Sequence, residues 1–320
     1  MSGTLTISVE VELGWGVHDI AADDHLSADG SVERHYLRKL LDRADACDVP
    51  ISFDVVGHLF HESCSGSHDG PYPAGWFDAD PGTDCETDPL YYGPDLAREI
   101  LAADADHELC THTYSHLLCH EASPELLAHE LRHVQALHRE LDGPVTSFVP
   151  PRHYRPDNAV LRDHGIRTAR YARDSSSPTR PHRFKHLSVG PLPEWEPRLV
   201  DGVLETYCTN YPSLTASSLP AGQRDTHPAF RPVPLSVRKR THRYYLRRAI
   251  DRAVSSGTPL HLWCHLFDIS NEHQWDVLSD FLGYLGGIPD DRLQVVTMDG
   301  LADLVADSGR VAASSPQESR

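Results

Sequence analysis

Two histidines that lie four residues apart, His112 and His116, form the pattern in this sequence that best suits metal chemistry. They follow a short segment, 107–111, whose composition is typical of a β-strand. If the chain begins a helical turn at His112, the i, i+4 spacing places both imidazoles on one face, within reach of a single divalent ion such as zinc. The spacing alone is weak evidence, because 22 histidines in 320 residues produce such pairs by chance.

Two glutamates near the start of the chain, Glu10 and Glu12, are candidate carboxylate partners for such an ion. Residues 4–13 alternate between polar and apolar side chains, which predicts a β-strand with both carboxylates on one face at its C-terminal end. Two carboxylates there are costly to bury unless a cation or another partner is present. A solvent-facing edge strand is the alternative interpretation.

Two further candidates, Arg152 and His265, also follow predicted strands, at 145–150 and 259–265. Considered singly, Arg152 could be a surface ion-pair partner and His265 a core histidine with satisfied hydrogen bonds. However, every candidate comes at the C-terminal end of a predicted strand, which is where βα barrels build their active sites. This shared placement predicts a single site.

The elements that must position these residues alternate between strands and helices along most of the chain. Helices are predicted at about 31–48, 94–105, 123–141, 157–164, 244–256, 272–285 and from 300 onward, with strands between them. This alternation predicts an α/β fold with a parallel, barrel-like sheet. We expect one domain over residues 1–309, with insertions at about 61–92 and 173–237, and a disordered tail at 310–320.

The composition restricts the setting in which the protein works. A formal net charge of −18 with very few lysines favours a protein adapted to concentrated salt over an ordinary acidic cytosolic enzyme, and it argues against nucleic-acid binding. No apolar run approaches the roughly 18 residues of a membrane span, and no signal peptide is visible. Seven cysteines without a CxxC pattern favour reduced thiols, so we expect a cytoplasmic location.

One basic cluster, residues 238–248, contrasts with this acidic composition. It could dock an anionic carrier, such as a nucleotide or a polyprenyl phosphate on a glycan precursor. A solvated helix face with ion pairs is the favoured interpretation.

Several segments form an ordered set of motifs. Residues 112–116 read H-T-Y-S-H, residues 52–57 read S-F-D-V-V-G, residues 148–152 read F-V-P-P-R, and residues 262–265 read L-W-C-H. In this order, and with Met298-Asp299 near the end, the segments resemble the polysaccharide deacetylases of the NodB-like superfamily, carbohydrate esterase family 4. The resemblance spans residues 4–306 and implies a single distorted (β/α) barrel of about seven parallel strands.

The first motif departs from the usual family form, T-F-D-D. Residues 8–16 read S-V-E-V-E-L-G-W-G and more closely resemble the D-x-E-L-x-W-G version of surface-glycan deacetylases, with Glu10 in place of the first Asp. The resemblance implies that Glu10 is the catalytic base and that Glu12 is a metal ligand, although the two assignments could be exchanged.

The resemblance also assigns the remaining roles. Glu12, His112 and His116 would hold one divalent metal, zinc in the first instance, with cobalt, nickel and manganese as alternatives. Arg152 would pair with Glu10, and protonated His265 would donate to the leaving amine. Two aromatic residues are expected to contact the substrate: Trp15 and Tyr154.

The implied activity is that of a metal-dependent hydrolase that removes an N-acetyl group from an amino sugar in a glycan or glycan precursor. Two alternatives are open: hydrolysis of a non-sugar C–N (amide) bond, and sugar binding by a relative that has lost the reaction. The sequence leaves the oligomeric state undetermined.

Overall fold

A nine-stranded sheet forms the centre of the molecule in the computed structural model, which describes residues 2–20, 24–141, 143–173 and 195–308. The strands are β1 (Gly3–Val11), β2 (Ser52–Val55), β3 (Glu108–Thr111), β4 (Ser147–Phe148), β5 (Thr168–Ala172), β6 (Arg198–Val200), β7 (Val203–Cys208), β8 (Leu260–His265) and β9 (Leu293–Val295). The helices are α1 (Ser31–Asp45), α2 (Pro94–Leu101), α3 (Pro124–Leu141), α4 (Asn158–Asp163), α5 (Leu235–Ser256), α6 (Leu266–Ile269), α7 (Glu272–Leu285) and α8 (Met298–Ser308).

The sheet curls into a barrel. Its strand order is β6-β7-β5-β4-β3-β2-β1-β8, with β9 beside the start of β1, and every pairing is parallel except that of β6 with β7. Near the two ends of this path, Thr206 Oγ1 of β7 lies 3.2 Å from His261 Nδ1 of β8. The predicted α/β barrel is therefore confirmed, with eight strands in parallel pairings and one short antiparallel strand.

Strand β1 explains how the barrel is filled. Its apolar residues, such as Ile7 and Val9, belong to a core that includes the buried faces of the surrounding helices, whereas Ser8 and Glu10 alternate with them and contact polar groups inside the barrel. Glu10 and Glu12 are only 3% and 8% exposed. The predicted strand is confirmed, and the alternative of a solvent-facing edge strand is wrong.

The helices lie close to their predicted positions, with differences at the ends. Helix α1 buries Leu37, Leu40 and Leu41, as its periodicity predicts, but it ends at Asp45. Helix α5 begins at Leu235, directly after Pro234, and not at the predicted residue 244. None of the described helices is long and apolar enough to cross a membrane.

The basic cluster of residues 238–248 lies on α5 and faces acidic residues of α7. Lys239 Nζ lies 2.6 Å from Asp276 Oδ2, and Arg243 Nε lies 2.6 Å from Asp280 Oδ2. These contacts support the ion-paired interpretation over a docking site for an anionic carrier.

The insertion at 61–92 is held against α1. Arg34 pairs with Asp95 at 2.7 Å and donates hydrogen bonds to the carbonyls of Pro89 and Tyr92. Of the second predicted insertion, residues 174–194 lie outside the described residues, as does the predicted tail at 310–320.

Candidate active site

The two histidines of the H-T-Y-S-H segment converge on Glu12. His112 Nε2 lies 3.0 Å from Glu12 Oε1, and His116 Nε2 lies 3.4 Å from the same oxygen. The segment is a turn and not the predicted helical turn, because Thr113 and His116 adopt left-handed backbone conformations with φ of 63° and 57°. The strained turn still brings both imidazoles to one point, and such strain is common at functional sites.

The hydrogen bonding of His112 indicates that a cation belongs between these groups. Its Nδ1 lies 2.9 Å from the Val149 carbonyl, which must accept, so Nδ1 carries the proton. In the neutral ring, Nε2 would then direct a lone pair at a carboxylate oxygen 3.0 Å away, and two acceptors at that distance need a proton or a metal ion between them. Nε2 is buried and has no well-aligned hydrogen bond among the described residues.

These donors fit a divalent metal. The three ligand atoms of Glu12, His112 and His116 all lie within 4.8 Å of one another. Two imidazole nitrogens and one carboxylate, with a carbonyl orienting one of the rings, form a set that zinc and similar ions accept with positions left open. Burial raises the pKa of Glu12, but His112 and His116 hold it well below its usual range. Gly16 leaves room for this carboxylate, because a Cβ there would collide with Glu12 Oε2.

Glu10 lies beside the group formed by Glu12, His112 and His116, and partners on two sides contact its carboxylate. Its Oε1 accepts from Arg170 of β5, and its Oε2 lies 3.1 Å from His265 Nε2. The strand register places Glu10 level with His265 on one side and Asp54 on the other. Burial raises the pKa of Glu10, but Arg170 and His265 together hold it far below its usual range, so Glu10 is an anion at neutral pH.

His265 is arranged to carry a proton. Its Nδ1 lies 3.0 Å from Asp268 Oδ2, and the same oxygen accepts from its backbone N–H at 3.1 Å. Burial lowers the pKa of His265, but Glu10 and Asp268 raise it well above its usual value of 6.5. His265 is therefore an imidazolium at neutral pH, and its Nε2 faces Glu10.

The predicted pairing of Arg152 with Glu10 is wrong. Arg152 pairs with Asp19, and Arg170 occupies the predicted position instead. The reason is topological: Arg152 follows β4 in a short 3₁₀ turn with a left-handed φ of 51°, whereas Arg170 projects from β5 directly into the barrel. A signal for Arg170 was present, because a charged residue inside a predicted strand requires a buried partner.

The two predicted substrate contacts differ in their placement. Trp15 is fully buried: its Nε1 donates to the Tyr91 carbonyl at 3.0 Å and its ring lies 4.3 Å from that of His58. Trp15 therefore packs beneath the surface, and its role as a substrate contact stays a prediction. Tyr154 is 39% exposed and stacks on His120 with ring centroids 3.7 Å apart, and its role stays a prediction.

An open cleft of about 310 Å³ leads to these groups. The lining residues include Glu10, Glu12, Val17, Ile20, His116, Arg152, His153, Asn210, Arg224, Trp263, His265 and Phe267. The wall therefore combines apolar and aromatic side chains with convergent polar groups, as is usual for small-ligand sites. His153 contributes as a neutral ring, because burial lowers its pKa to about 3.

A residue that the sequence did not identify, Glu130 of α3, supports the histidine turn. Its carboxylate accepts from the backbone N–H groups of Tyr114 and Ser115 at 2.7 and 2.9 Å. It also accepts from the hydroxyls of Ser115 and Tyr72, each at 2.7 Å. Three of these hydrogen bonds hold the turn between His112 and His116, and the fourth connects Glu130 to Tyr72. Nothing local in the sequence indicates them.

Comparison with known proteins supports this fold. The family model of the polysaccharide deacetylases matches residues 28–169, which is less than half of the chain. The matched segment includes the motifs at 52–57, 112–116 and 148–152 and supports the resemblance over that part. The D-x-E-L-x-W-G subtype stays a prediction. Among curated proteins, no match to this chain was found.

Solved structures with the same fold share little sequence with this chain. A Mycobacterium smegmatis protein assigned to the polysaccharide deacetylases is 14% identical, with a TM-score of 0.66 over 99% of this chain and 94% of that one. A Pseudomonas aeruginosa protein with the same type of assignment is 12% identical, with a TM-score of 0.56 over 95% and 91%. PuuE allantoinase is 12% identical, with a TM-score of 0.57 over 97% and 92%. At these identities the likeness shows the fold alone.

Proposed function

We propose that this relative of the polysaccharide deacetylases is a metal-dependent hydrolase that removes an N-acetyl group from an amino sugar in a glycan or glycan precursor. One observation carries the proposal. Glu12 and His116 line a single open cleft together with a Glu10–His265 pair only 3.1 Å apart, and the buried His112 completes the group of donors from beneath the cleft. A metal group and an acid–base pair in one cleft are the parts that amide hydrolysis needs.

Glu12, His112 and His116 would hold the ion. Zinc fits two nitrogens and one oxygen best, and cobalt, nickel or manganese are alternatives. When bound, the ion would polarise the acyl carbonyl and lower the pKa of a nearby water. Glu12 is favoured over Glu10 as the ligand because only Glu12 lies within 3.4 Å of both imidazoles.

The protein's own groups would then move the protons. Glu10, an anion held by Arg170, accepts a proton from the attacking water as a C–O bond forms at the acyl carbon. His265, protonated and held by Asp268, donates from Nε2 to the amine nitrogen as the C–N bond breaks. Acetic acid and the free amino sugar leave, the acid then ionises to acetate in solution, and the proton on Glu10 can return to His265 across their 3.1 Å contact.

The test measures metal content together with acetate release from a panel of N-acetylated sugars. High potassium chloride is the appropriate medium, because a chain with a net charge of −18 repels itself at low salt. We expect acetate release that is lost on chelation, restored by zinc, and lost in His112→Ala. A matched control is His35→Ala, which changes an exposed histidine of α1 and should leave both readouts unchanged.

Two other outcomes would favour the alternatives. Metal binding at His112 without acetate release would support a different amide substrate, and the fold shared with PuuE allantoinase makes small nitrogenous amides the first compounds to assay. Sugar binding without metal or turnover would contradict the catalytic proposal and support a binding protein.

We also propose that the protein works in the cytoplasm. All seven cysteines are free, and four of them are buried, which suits a reducing compartment. Fractionation of cells that produce the protein would test this, and recovery outside the cytoplasm would contradict it.

A further inference from the structure

A second group of metal-binding side chains lies away from the cleft, where the 61–92 insertion meets the end of β2. It consists of His58, Cys64, His68 and Asp80, whose ligand atoms all lie within 4.8 Å of one another. We propose that these four residues bind a second divalent ion, zinc, that serves to hold the insertion in place. This proposal does not rest on the proposed function.

Asp80 lies at the centre of the group. Its Oδ2 lies 2.6 Å from His68 Nε2 and 3.3 Å from His58 Nε2. Its other oxygen, Oδ1, accepts from the backbone N–H of Gly82 at 3.1 Å and from the hydroxyl of Tyr92. The carboxylate is thus fixed by one oxygen while the other faces the imidazoles, as is usual for a ligand oriented by its surroundings.

His58 supplies the observation that points to an ion. Its side chain is 0% exposed, and its Nε2 faces the carboxylate of Asp80 at 3.3 Å, yet neither ring nitrogen has a well-aligned hydrogen bond among the described residues. Buried polar atoms in folded proteins nearly always have a partner. A metal ion near Asp80 Oδ2 would give His58 Nε2 that partner.

The four donors suit a structural ion. Cys64 Sγ lies 3.6 Å from His68 Nε2, so a thiol completes a set of one sulfur, two nitrogens and one oxygen. Four protein ligands leave no position for water, and zinc takes such sets in tetrahedral structural sites. The group of Glu12, His112 and His116 has only three protein ligands and leaves a position open for water. The four-ligand group therefore has a structural task, and the three-ligand group has a catalytic one.

The site would connect the insertion to the active-site wall. The ring of His68 stacks on Phe77 at 3.8 Å, and the neighbouring Trp76 donates from Nε1 to Ser115 Oγ at 2.8 Å. Ser115 precedes His116, and it is also held by Glu130. An ion bound by the insertion and by His58 would therefore fix the segment that contacts the histidine turn.

Cobalt substitution tests the proposal on the full chain. Purified protein is stripped with a chelator and titrated with Co(II), and its near-ultraviolet absorption is recorded. We expect a thiolate-to-cobalt charge-transfer band from the wild type, because only the second site includes a cysteine. The band should vanish in Cys64→Ser and persist in His112→Ala. Absence of the band from the wild type would overturn the proposal without requiring any variant to fold.

Cys85→Ser is the matched control. Cys85 lies in the same insertion, and its Sγ contacts Glu62 and not the metal group. The control should keep the full band, and a band lost in Cys85→Ser but kept in Cys64→Ser would contradict the assignment. Zinc stoichiometry gives a second readout: His68→Ala should bind one zinc ion fewer per chain than the wild type, whether or not the Glu12 group also binds metal. A His68→Ala variant that binds as many zinc ions as the wild type would also overturn the proposal.

Discussion

Arg170 of β5 contacts Glu10 of β1 across the interior of the barrel, although the two residues lie 160 positions apart in sequence. The same guanidinium donates to Ser8 Oγ at 2.6 Å and lies 3.4 Å from Asp54 Oδ2. Arg170 is fully buried, so it supplies the positive charge that allows two acidic side chains to remain inside the barrel.

Replacement of Arg170 should therefore damage both stability and activity. In Arg170→Met, Glu10 keeps only His265 as a cationic partner, and removal of one partner from a buried pair costs about 3–5 kcal/mol of unfolding free energy. Urea denaturation measures this loss, and kcat should fall because Glu10 is no longer oriented. Arg167→Met is the control: Arg167 makes half-exposed pairs with Asp299 and Asp303, which contribute roughly 0–1 kcal/mol. Equal losses in the two variants would contradict the central role of Arg170.

Asp54 should make the unfolding free energy depend on pH. Burial raises the pKa of Asp54 to about 7 from 3.8, with Arg170 opposing and Glu10 adding to the shift. An acid whose pKa is higher in the folded state destabilises the fold as pH rises through this interval, here from about 4 to about 7, by on the order of 4 kcal/mol. Asp54→Asn should remove that slope. Unfolding measured at several pH values checks this, and identical pH profiles for wild type and variant would refute it.

His265 should matter for turnover and not for metal binding. His265→Ala removes the proton donor and should lower kcat by about 10²–10⁴-fold. Asp268→Asn keeps an acceptor for the backbone N–H but removes the charge beside Nδ1, so its kcat should fall less. Metal content should stay at the wild-type level in both variants. His273→Ala, on α7, serves as the control, and loss of metal in His265→Ala would instead make His265 a ligand.

Glu130 should control how well the histidine turn binds metal. Glu130→Ala leaves the buried N–H groups of Tyr114 and Ser115 without their acceptor, which costs about 1–3 kcal/mol of unfolding free energy. A loosened turn should also weaken metal affinity, by about tenfold or more. Competition with a coloured chelator measures that affinity. Glu125→Ala, at an exposed position of the same helix, should change neither the unfolding free energy nor the metal affinity. An unchanged metal affinity in Glu130→Ala would show that the turn keeps its shape without Glu130.

The sequence by itself determined the class of fold and much of the candidate site. Alternation with period two placed Glu10 and Glu12 on one face of β1, and the helix periodicity placed α1 and α7 close to their observed bounds. Both signals are local, because they depend on which side of one element is buried. The rule that polar residues after parallel strands meet at one edge then brought the histidines and glutamates together.

Only the tertiary structure decided which cations and which turns complete the site. The sequence placed only Arg152 beside Glu10, and the curl of the sheet determines that Arg170 reaches Glu10 instead. The group of His58, Cys64, His68 and Asp80 combines one residue that follows β2 with three from an irregular insertion, where no periodicity relates one side chain to another. Contacts of this kind depend on long-range strand order and on loop conformation, and neither is encoded in local patterns of hydrophobicity.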